Sequence, residues 1–300
     1  MADLFPKRYI ATVNGILTGG IYLGGSLASL SIILDSNIGW RYTLYVVGFT
    51  CILLALSIGA FIPEPRESQP EKENSSTDSF KVSDFVEAAG EVVESKDAKL
   101  LLLAAALRYS AGFTIGVWKA PFVFDKFPGS EALFAGSNAA IMAGGGIASS
   151  LLGGYISDYI AGKAEKNKAR ARMWVPAIGS IIAAPLWAGF IMSDDPAIAA
   201  SYLLVEYLAA ECWIGATVVG LYNSVPENRR GTAQGIFSTL TAVGSVAPIV
   251  IGGLMAGDIG GAPIPLNSLL VYCVSGAYLL SGVLFTIFAT SKEKVKTESL

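Results

Sequence analysis

Histidine is absent from the 300 residues. That removes the usual general base near neutral pH and the commonest metal ligand, so an enzyme is not expected and no cofactor or metal is called for. Charge is scarce too: Asp, Glu, Lys and Arg make up 15% of the chain, against roughly 25% in soluble proteins. The near balance of 21 basic and 24 acidic residues, net −3, excludes a polyanion partner, nucleic acid included. Cysteine is limited to Cys51, Cys212 and Cys273. They lie far apart in apolar runs, without metal-site or redox spacing, and read as small buried hydrophobes.

What is plentiful is apolar surface and glycine: 53% hydrophobic residues and 33 glycines. Together they point to helices packed closely inside a bilayer, where small residues let backbones approach. A soluble enzyme and a disordered chain are excluded on the same numbers. A membrane span needs about 20 mostly apolar residues. Eight such runs are present, at 12–34, 41–62, 99–124, 132–156, 173–192, 197–221, 232–255 and 267–290. The expected fold is therefore all-α, a polytopic membrane helical bundle.

Orientation follows from the basic residues in the short connections. All but four of them (Arg41, Arg108, Lys119 and Lys126) fall in segments that lie on one face of an eight-span chain. That face is expected to be cytoplasmic, with both termini on it. The long connection 63–98 reads as a cytoplasmic linker, polar through Ser68–Ser79. Its later part, "VSDFVEAAGEVV", places Phe85, Val86, Ala89 and Val92 near one helical face, with Asp84 and Glu87 at capping-box spacing. Either an interfacial amphipathic helix or a frayed acidic linker fits. The chain divides into a partial amino-terminal half of two spans (1–62), the linker, a six-span half (99–290) and a short cytoplasmic tail (291–300).

Shifting the sequence by 220 residues aligns Thr12–Ile16, "TVNGI", with Thr232–Ile236, "TAQGI", and Gly24 with Gly244. Each copy follows a loop with proline and basic residues and opens a glycine-rich span. Internal repeats of this kind characterise transporters, with the substrate site between them. Four spans precede the second copy after the linker and none precedes the first, so four further spans upstream of Met1 are expected.

With these features on one chain, the sequence resembles the carboxyl two thirds of a major facilitator superfamily transporter. "GGYISDYIAGK" (Gly153–Lys163) is similar to that superfamily's cytoplasmic motif, with Gly154, Asp158 and Lys163 matching and Tyr159 standing where a basic residue is usual. The resemblance implies a conformational gate in which Asp158 faces the positive amino-terminal end of a neighbouring helix, the one near Thr232 being the candidate, with Arg230 beside it. The order of "GWR" (Gly39–Arg41), "PEPRE" (Pro63–Glu67), "VWKAPF" (Val117–Phe122), "AECW" (Ala210–Trp213) and "VPENRRGTAQG" (Val225–Gly235) is similar to Spinster-like members. That subfamily is associated with export of lipids and lysolipids, which implies a small organic or amphipathic, lipid-like solute. At Leu240–Val250 the chain lacks the His and Asp that Spinster-like proteins carry ahead of Ser-Pro, so the resemblance does not carry over a substrate or coupling ion.

An ionisable group near the bilayer centre persists mainly where it faces a cavity or a partner. Away from span edges there are four: Arg108 and Lys119 on the third span, Glu206 and Glu211 on the sixth. At 1.5 Å per residue, Arg108 lies about 13 Å and Glu211 about 16 Å from the same end, so they can pair. Lys119 is near three turns from Arg108 and shares its face. On a continuous helix Glu206 and Glu211 are about 140° apart. These four, with Tyr109 and Trp118, are the candidate substrate and proton pathway. The alternatives are a fixed Arg108–Glu211 ion pair, a Lys119 that snorkels outward and a Glu206 protonated between helices. Gly136, Ala140, Gly144 and Ala148 form a close-packing stripe on the fourth span, and Pro121, Pro185 and Pro248 are candidate bends.

The leading reading is a secondary transporter moving such a solute by alternating access, with protons as candidate coupling ion and the bilayer as its surroundings. The second is a truncated, non-transporting membrane fragment or regulatory isoform.

Overall fold

A computed structural model describes residues 10–61, 82–165 and 167–291. The first part of the linker (63–81) and the tail (292–300) lie outside the described residues. Every regular element among the described residues is a helix, with no strand among them.

Eight helical spans are long and apolar enough to cross a membrane. They are α1 (Ile10–Ile38), α2 (Trp40–Phe61), α4 (Lys96–Lys126), α5 (Glu131–Lys163), α6 (Lys168–Met192), α7 (Pro196–Asn223), α8 (Glu227–Ala256) and α9 (Leu266–Thr290). A shorter helix, α3 (Val82–Glu94), precedes α4. The spans follow the apolar runs of the sequence because a backbone in hydrocarbon must satisfy its own hydrogen bonds. The bundle carries a cluster of basic side chains at one end, called here the basic end. Large apolar side chains along α1 and α2, among them Ile16, Leu27, Tyr45 and Phe61, are exposed, as bilayer-facing helices require. Cys51 and Cys273 share this exposure, and only Cys212 is buried. In a protein whose surrounding solvent is itself apolar, hydrophobicity does not dictate burial.

Five spans depart from regular geometry, among them α6 at Met173 and α8 at Ser245–Val246. α5 contains a π-turn at Met142–Gly146 and α9 one at Leu270–Val274. α7 is interrupted: a segment Pro196–Ala210 ends at Glu211 and a second runs Trp213–Asn223. At the α9 π-turn the freed Leu270 carbonyl accepts from the indole N–H of fully buried Trp187 at 2.9 Å, which removes an orphaned acceptor from the core.

α1 lies along α5, and the seam is polar and tight. Ser26 donates to the Ala139 carbonyl (2.8 Å), Ser29 to Ala135 (3.2 Å) and Ser150 to Gly15 (3.0 Å), while Asn138 donates to Ser29 (2.9 Å). A Cβ at Gly15 would sit 2.4 Å from the Ser150 carbonyl oxygen, so any larger residue there would force the helices apart. The stripe expected from sequence is not the packing face: Gly136, Ala140 and Gly144 are exposed. The serine-to-carbonyl bonds fix the contacting face one residue away, and the π-turn shifts the register beyond it. The repeat copies open α1 and α8, at the same end of the bundle, yet their glycines differ in surroundings. Gly235, the counterpart of Gly15, has nothing within 4 Å of an added Cβ.

α3 packs at the basic end against α4 and α8. Ala88 and Val92 are its buried positions, whereas Phe85 and Val86 are exposed. The helix starts at Val82, which puts Asp84 in the first turn rather than at the cap. Ser95, the N-cap of α4, accepts from the Ala98 N–H and donates to the Ser224 carbonyl. Arg229 of α8 donates from Nε and Nη2 to the two carboxylate oxygens of Glu91, both at 2.7 Å. These bonds hold the Glu91 carboxyl below its ordinary range. A carboxylate so depressed contributes its full attachment above the ordinary glutamate pKa, and the contribution fades as pH falls through the lowered value. Docking of α3 is therefore expected to persist to pH values where an unpaired glutamate is already protonated, and Glu91→Gln to loosen it at neutral pH. Spin-label distances between α3 and α8 across a pH series check this; a distance distribution that Glu91→Gln leaves unchanged would refute it.

Candidate functional site

Four ionisable residues of α4 and α7 lie in the bundle interior, Arg108, Lys119, Glu206 and Glu211, and the last stands at the interruption of α7. Glu211, at the break, has φ −87° and ψ 12°, which leaves carbonyls of the preceding turn without helical partners. Arg108, on α4 and 3% exposed, donates from Nη2 to the last of these, the Ala210 carbonyl, at 2.9 Å. A cation at a helix carboxyl terminus also complements the helix dipole. The guanidinium lies over the rings of Tyr278 (4.3 Å) and Trp213 (5.5 Å), contacts that stabilise a desolvated cation.

Glu211 faces Arg108 from the break, with Oε1 3.9 Å from Nη2, close enough for attraction but too far for a hydrogen bond. Its Oε2 accepts from the Tyr22 hydroxyl of α1 at 2.5 Å. Glu206 is fully buried, and its Oε1 accepts from the Tyr278 hydroxyl at 2.5 Å. Tyr278 thus carries Arg108 on its ring and Glu206 on its hydroxyl. The two carboxylates take partners on different helices, Glu206 on α9 and Glu211 on α1, and the helix that carries them is interrupted at Glu211. Lys119, 5% exposed, donates to the Tyr207 hydroxyl at 3.0 Å; it points into the bundle and does not snorkel outward. Trp118 donates its indole N–H to the Pro248 carbonyl of α8 (3.0 Å), and Tyr109 stands edge-on to Trp213 and Phe237.

The site is not saturated. Nε and Nη1 of Arg108 and Oε2 of Glu206 are buried without a hydrogen-bond partner among the described residues. Nε and Nη1 together carry three N–H donors. An arginine so placed is equipped to take a carboxylate or another oxyanion.

At the basic end the structure rearranges the expected gate. Asp158, one turn after buried Gly154, accepts through Oδ2 from the backbone N–H and hydroxyl of Thr12, both at 2.9 Å. The helix whose amino terminus it faces is therefore α1, not the one near Thr232, because α1 is the helix packed along α5. Its Oδ1 accepts from Arg172 Nε at 3.0 Å. Lys163 and Arg230 are elsewhere. Lys163 lies over the Tyr159 ring (4.5 Å), and Arg230 pairs with Glu227 (3.1 Å) and donates to the Tyr222 carbonyl. The tyrosine in place of a basic residue thus gives Lys163 a ring to rest on.

Three groups were not singled out from sequence. Tyr22 is one uncharged residue in a glycine-rich helix, and nothing marks it. It fits only because Gly146, in the α5 π-turn, has no Cβ: one would stand 2.6 Å from the Tyr22 ring. Tyr278 looks like any interface tyrosine, and Arg172 was one of a run of basic loop residues.

Comparison with known proteins accords with this architecture. The cis,cis-muconate transport protein of Acinetobacter baylyi is 27% identical over 303 residues, an alignment that takes in 98% of this chain and 67% of that protein. Among solved structures, a bacterial homolog to the human lysosomal transporter Spinster is similar in two states. The inward-facing, unoccupied form has a TM-score of 0.59 at 20% identity, covering 96% of this chain and 71% of that one. The inward-facing, occupied form has a TM-score of 0.50 at 19% identity, covering 93% and 66%. The chain thus spans about two thirds of the length of these relatives, and the Spinster-like resemblance holds at the level of the fold. The model of the Major Facilitator Superfamily matches residues 1–248. Eight apolar spans, a similar transporter over almost the whole chain and a family match through most of its length have one reading: this chain belongs to the Major Facilitator Superfamily and serves membrane transport.

Proposed function

We propose that the chain moves a small organic solute bearing a carboxylate by alternating access, with Arg108 as the solute anchor and Glu211 as the group it displaces. The observation that carries this is the buried, half-partnered guanidinium of Arg108, which holds the Ala210 carbonyl while three of its N–H donors stay open. A burial this costly is retained where the charge is used. The muconate relative supports the substrate class, since muconate is a dicarboxylate. In this reading α1 and α2 belong to one transporter half and α4–α9 to the other, α3 lies in the connection, and the basic end is cytoplasmic.

The four interior charges balance when both glutamates are ionised. An entering carboxylate upsets that balance, and a proton taken by Glu211 restores it, which makes proton coupling the economical mechanism. Glu211 is suited to this because its side chain is 17% exposed while that of Arg108 is 2% exposed. Tyr22 then senses the change from α1, because protonation removes the charge that its hydroxyl meets. In this reading the bonds of Asp158 to Thr12 and Arg172 are the ones that close the basic end.

The test is uptake of labelled muconate into proteoliposomes, with and without an inward-acid pH gradient. Glu211→Gln is expected to lower gradient-driven uptake by about tenfold or more and to flatten its pH dependence. Uptake and pH dependence both unchanged in Glu211→Gln would remove that role. A wild-type chain that folds yet takes up no carboxylate would favour the second reading, a membrane fragment that does not transport.

A further inference from the structure

A cavity of about 480 Å³ lies between α5 and α7 at the end of the bundle away from the basic cluster. Volumes of this order hold small organic ligands. The two helices meet at Gly145, where an added Cβ would stand 3.3 Å from Leu204 and from Tyr207. Beyond that contact they leave a slot between them. Its walls are apolar, formed by Val123 of α4, Phe134 and Ile141 of α5, Phe190 of α6 and Leu203 of α7, with Asp195 at the rim. Asp195 Oδ1 accepts from the backbone N–H groups of Ala197 and Ile198 as the cap of α7.

One helical turn inward from Val123 is Lys119, and one turn inward from Leu203 is Tyr207. These two residues are joined to each other: the ammonium donates to the Tyr207 hydroxyl and lies 5.0 Å from its ring centroid. Lys119 has no carboxylate within ion-pairing distance among the described residues. The apolar slot therefore ends one turn short of a buried cation that makes no ion pair. We infer that the slot and Lys119 form a recognition site for a monocarboxylate with an apolar body, its head on Lys119 and its body along the α5–α7 walls.

A small dicarboxylate does not suit this site, since its second charge would be pressed against Phe134 and Leu203. Nor is the site that of Arg108, eleven residues and about 16 Å deeper along α4. As an outer station on the transport route, the site rests on the reading of Arg108 as a carboxylate anchor. Binding itself does not.

The probes are octanoate, hexanoate, acetate and muconate, with binding to the full chain in nanodiscs read by calorimetry. Octanoate is expected to bind more tightly than hexanoate, by about fourfold for each methylene added within the slot, and acetate to bind not at all. Excess muconate should leave octanoate binding unchanged. Lys119→Gln should weaken octanoate by about tenfold or more, and Lys119→Arg should restore it. Ser137→Phe, which fills the slot from its α5 wall without touching the charge, should abolish chain-length dependence. Octanoate binding that is equal in wild type and in Lys119→Gln, or untouched by Ser137→Phe, would overturn the proposal, as would displacement by muconate, which would put both ligands on one site. Muconate uptake decides the transport reading separately: its failure leaves the octanoate result standing, and loss of the octanoate result leaves Arg108 in place.

Discussion

Replacing Arg108 with glutamine is expected to reduce solute transport at least about a hundredfold, the loss of a charge-assisted anchor together with the geometry it organises. The same change should lower stability by roughly 3–5 kcal/mol, because removing one partner of a buried charge set strands the others. The stranded groups are named by the structure: Glu211 loses the cation 3.9 Å away, and Glu206 keeps only the Tyr278 hydroxyl. The Ala210 carbonyl at the break in α7 loses its donor as well. Arg108→Gln combined with Glu211→Gln should therefore regain part of the stability while regaining no transport. That separation distinguishes an anchor from a strut. Arg108→Lys tests the planar geometry: an ammonium keeps the charge but cannot lie flat over the Tyr278 and Trp213 rings while bonding Ala210. Thermal unfolding in detergent and proteoliposome uptake, measured on the same preparations, give both readouts. Wild-type transport by a folded Arg108→Gln would end the anchor assignment.

Much of the frame behind that argument is legible in the sequence, and the reason is physical. Run length and hydropathy decide a membrane span almost alone, because backbone hydrogen bonds leave no alternative in hydrocarbon. The pairing of Arg108 with Glu211 follows from depth, since two antiparallel spans entered from the same end meet where their distances from it agree. Helical periodicity also puts Arg108 and Lys119 on one face. The break at Glu211 is different. Neither proline nor glycine marks it, and the carbonyl that the interruption releases is taken by Arg108 of another helix. A regular helix from 197 to 221 does not describe the backbone at Glu211, where φ is −87° and ψ 12°. The gate shows a second limit. The repeat offers two equivalent helix starts, Thr12 and Thr232, and each is a chemically adequate partner for Asp158. Only the packing of α1 along α5, through Gly15 and the serine bonds, decides between them, and that is tertiary information. Tyr22 is illegible for a similar reason, because its niche is made by a π-turn in one helix and a break in another.

The choice that packing makes for Asp158 has a large expected consequence. Asp158→Ala removes the acceptor of both Thr12 bonds and the counter-ion of Arg172, whose side chain is 9% exposed. Loss of the cap on α1 costs about 1 kcal/mol, and a stranded, largely buried arginine adds roughly 3–5 kcal/mol. Pairing Asp158→Ala with Arg172→Leu should recover most of the second contribution and none of the first. Lys163→Ala and Arg230→Ala should each change stability by less than about 1 kcal/mol, since one cation rests on an exposed ring and the other pairs at the surface. A functional contrast follows from position. The Asp158 contacts tie the start of α1 to the end of α5, so their loss should free that end to open, and a cysteine placed by Thr12→Cys should label faster with a thiol reagent when combined with Asp158→Asn. If the gate instead used the helix near Thr232, the acceleration would appear at Thr232→Cys and not at Thr12→Cys. Equal labelling at both positions, with and without Asp158→Asn, would show that neither helix start is held by this carboxylate.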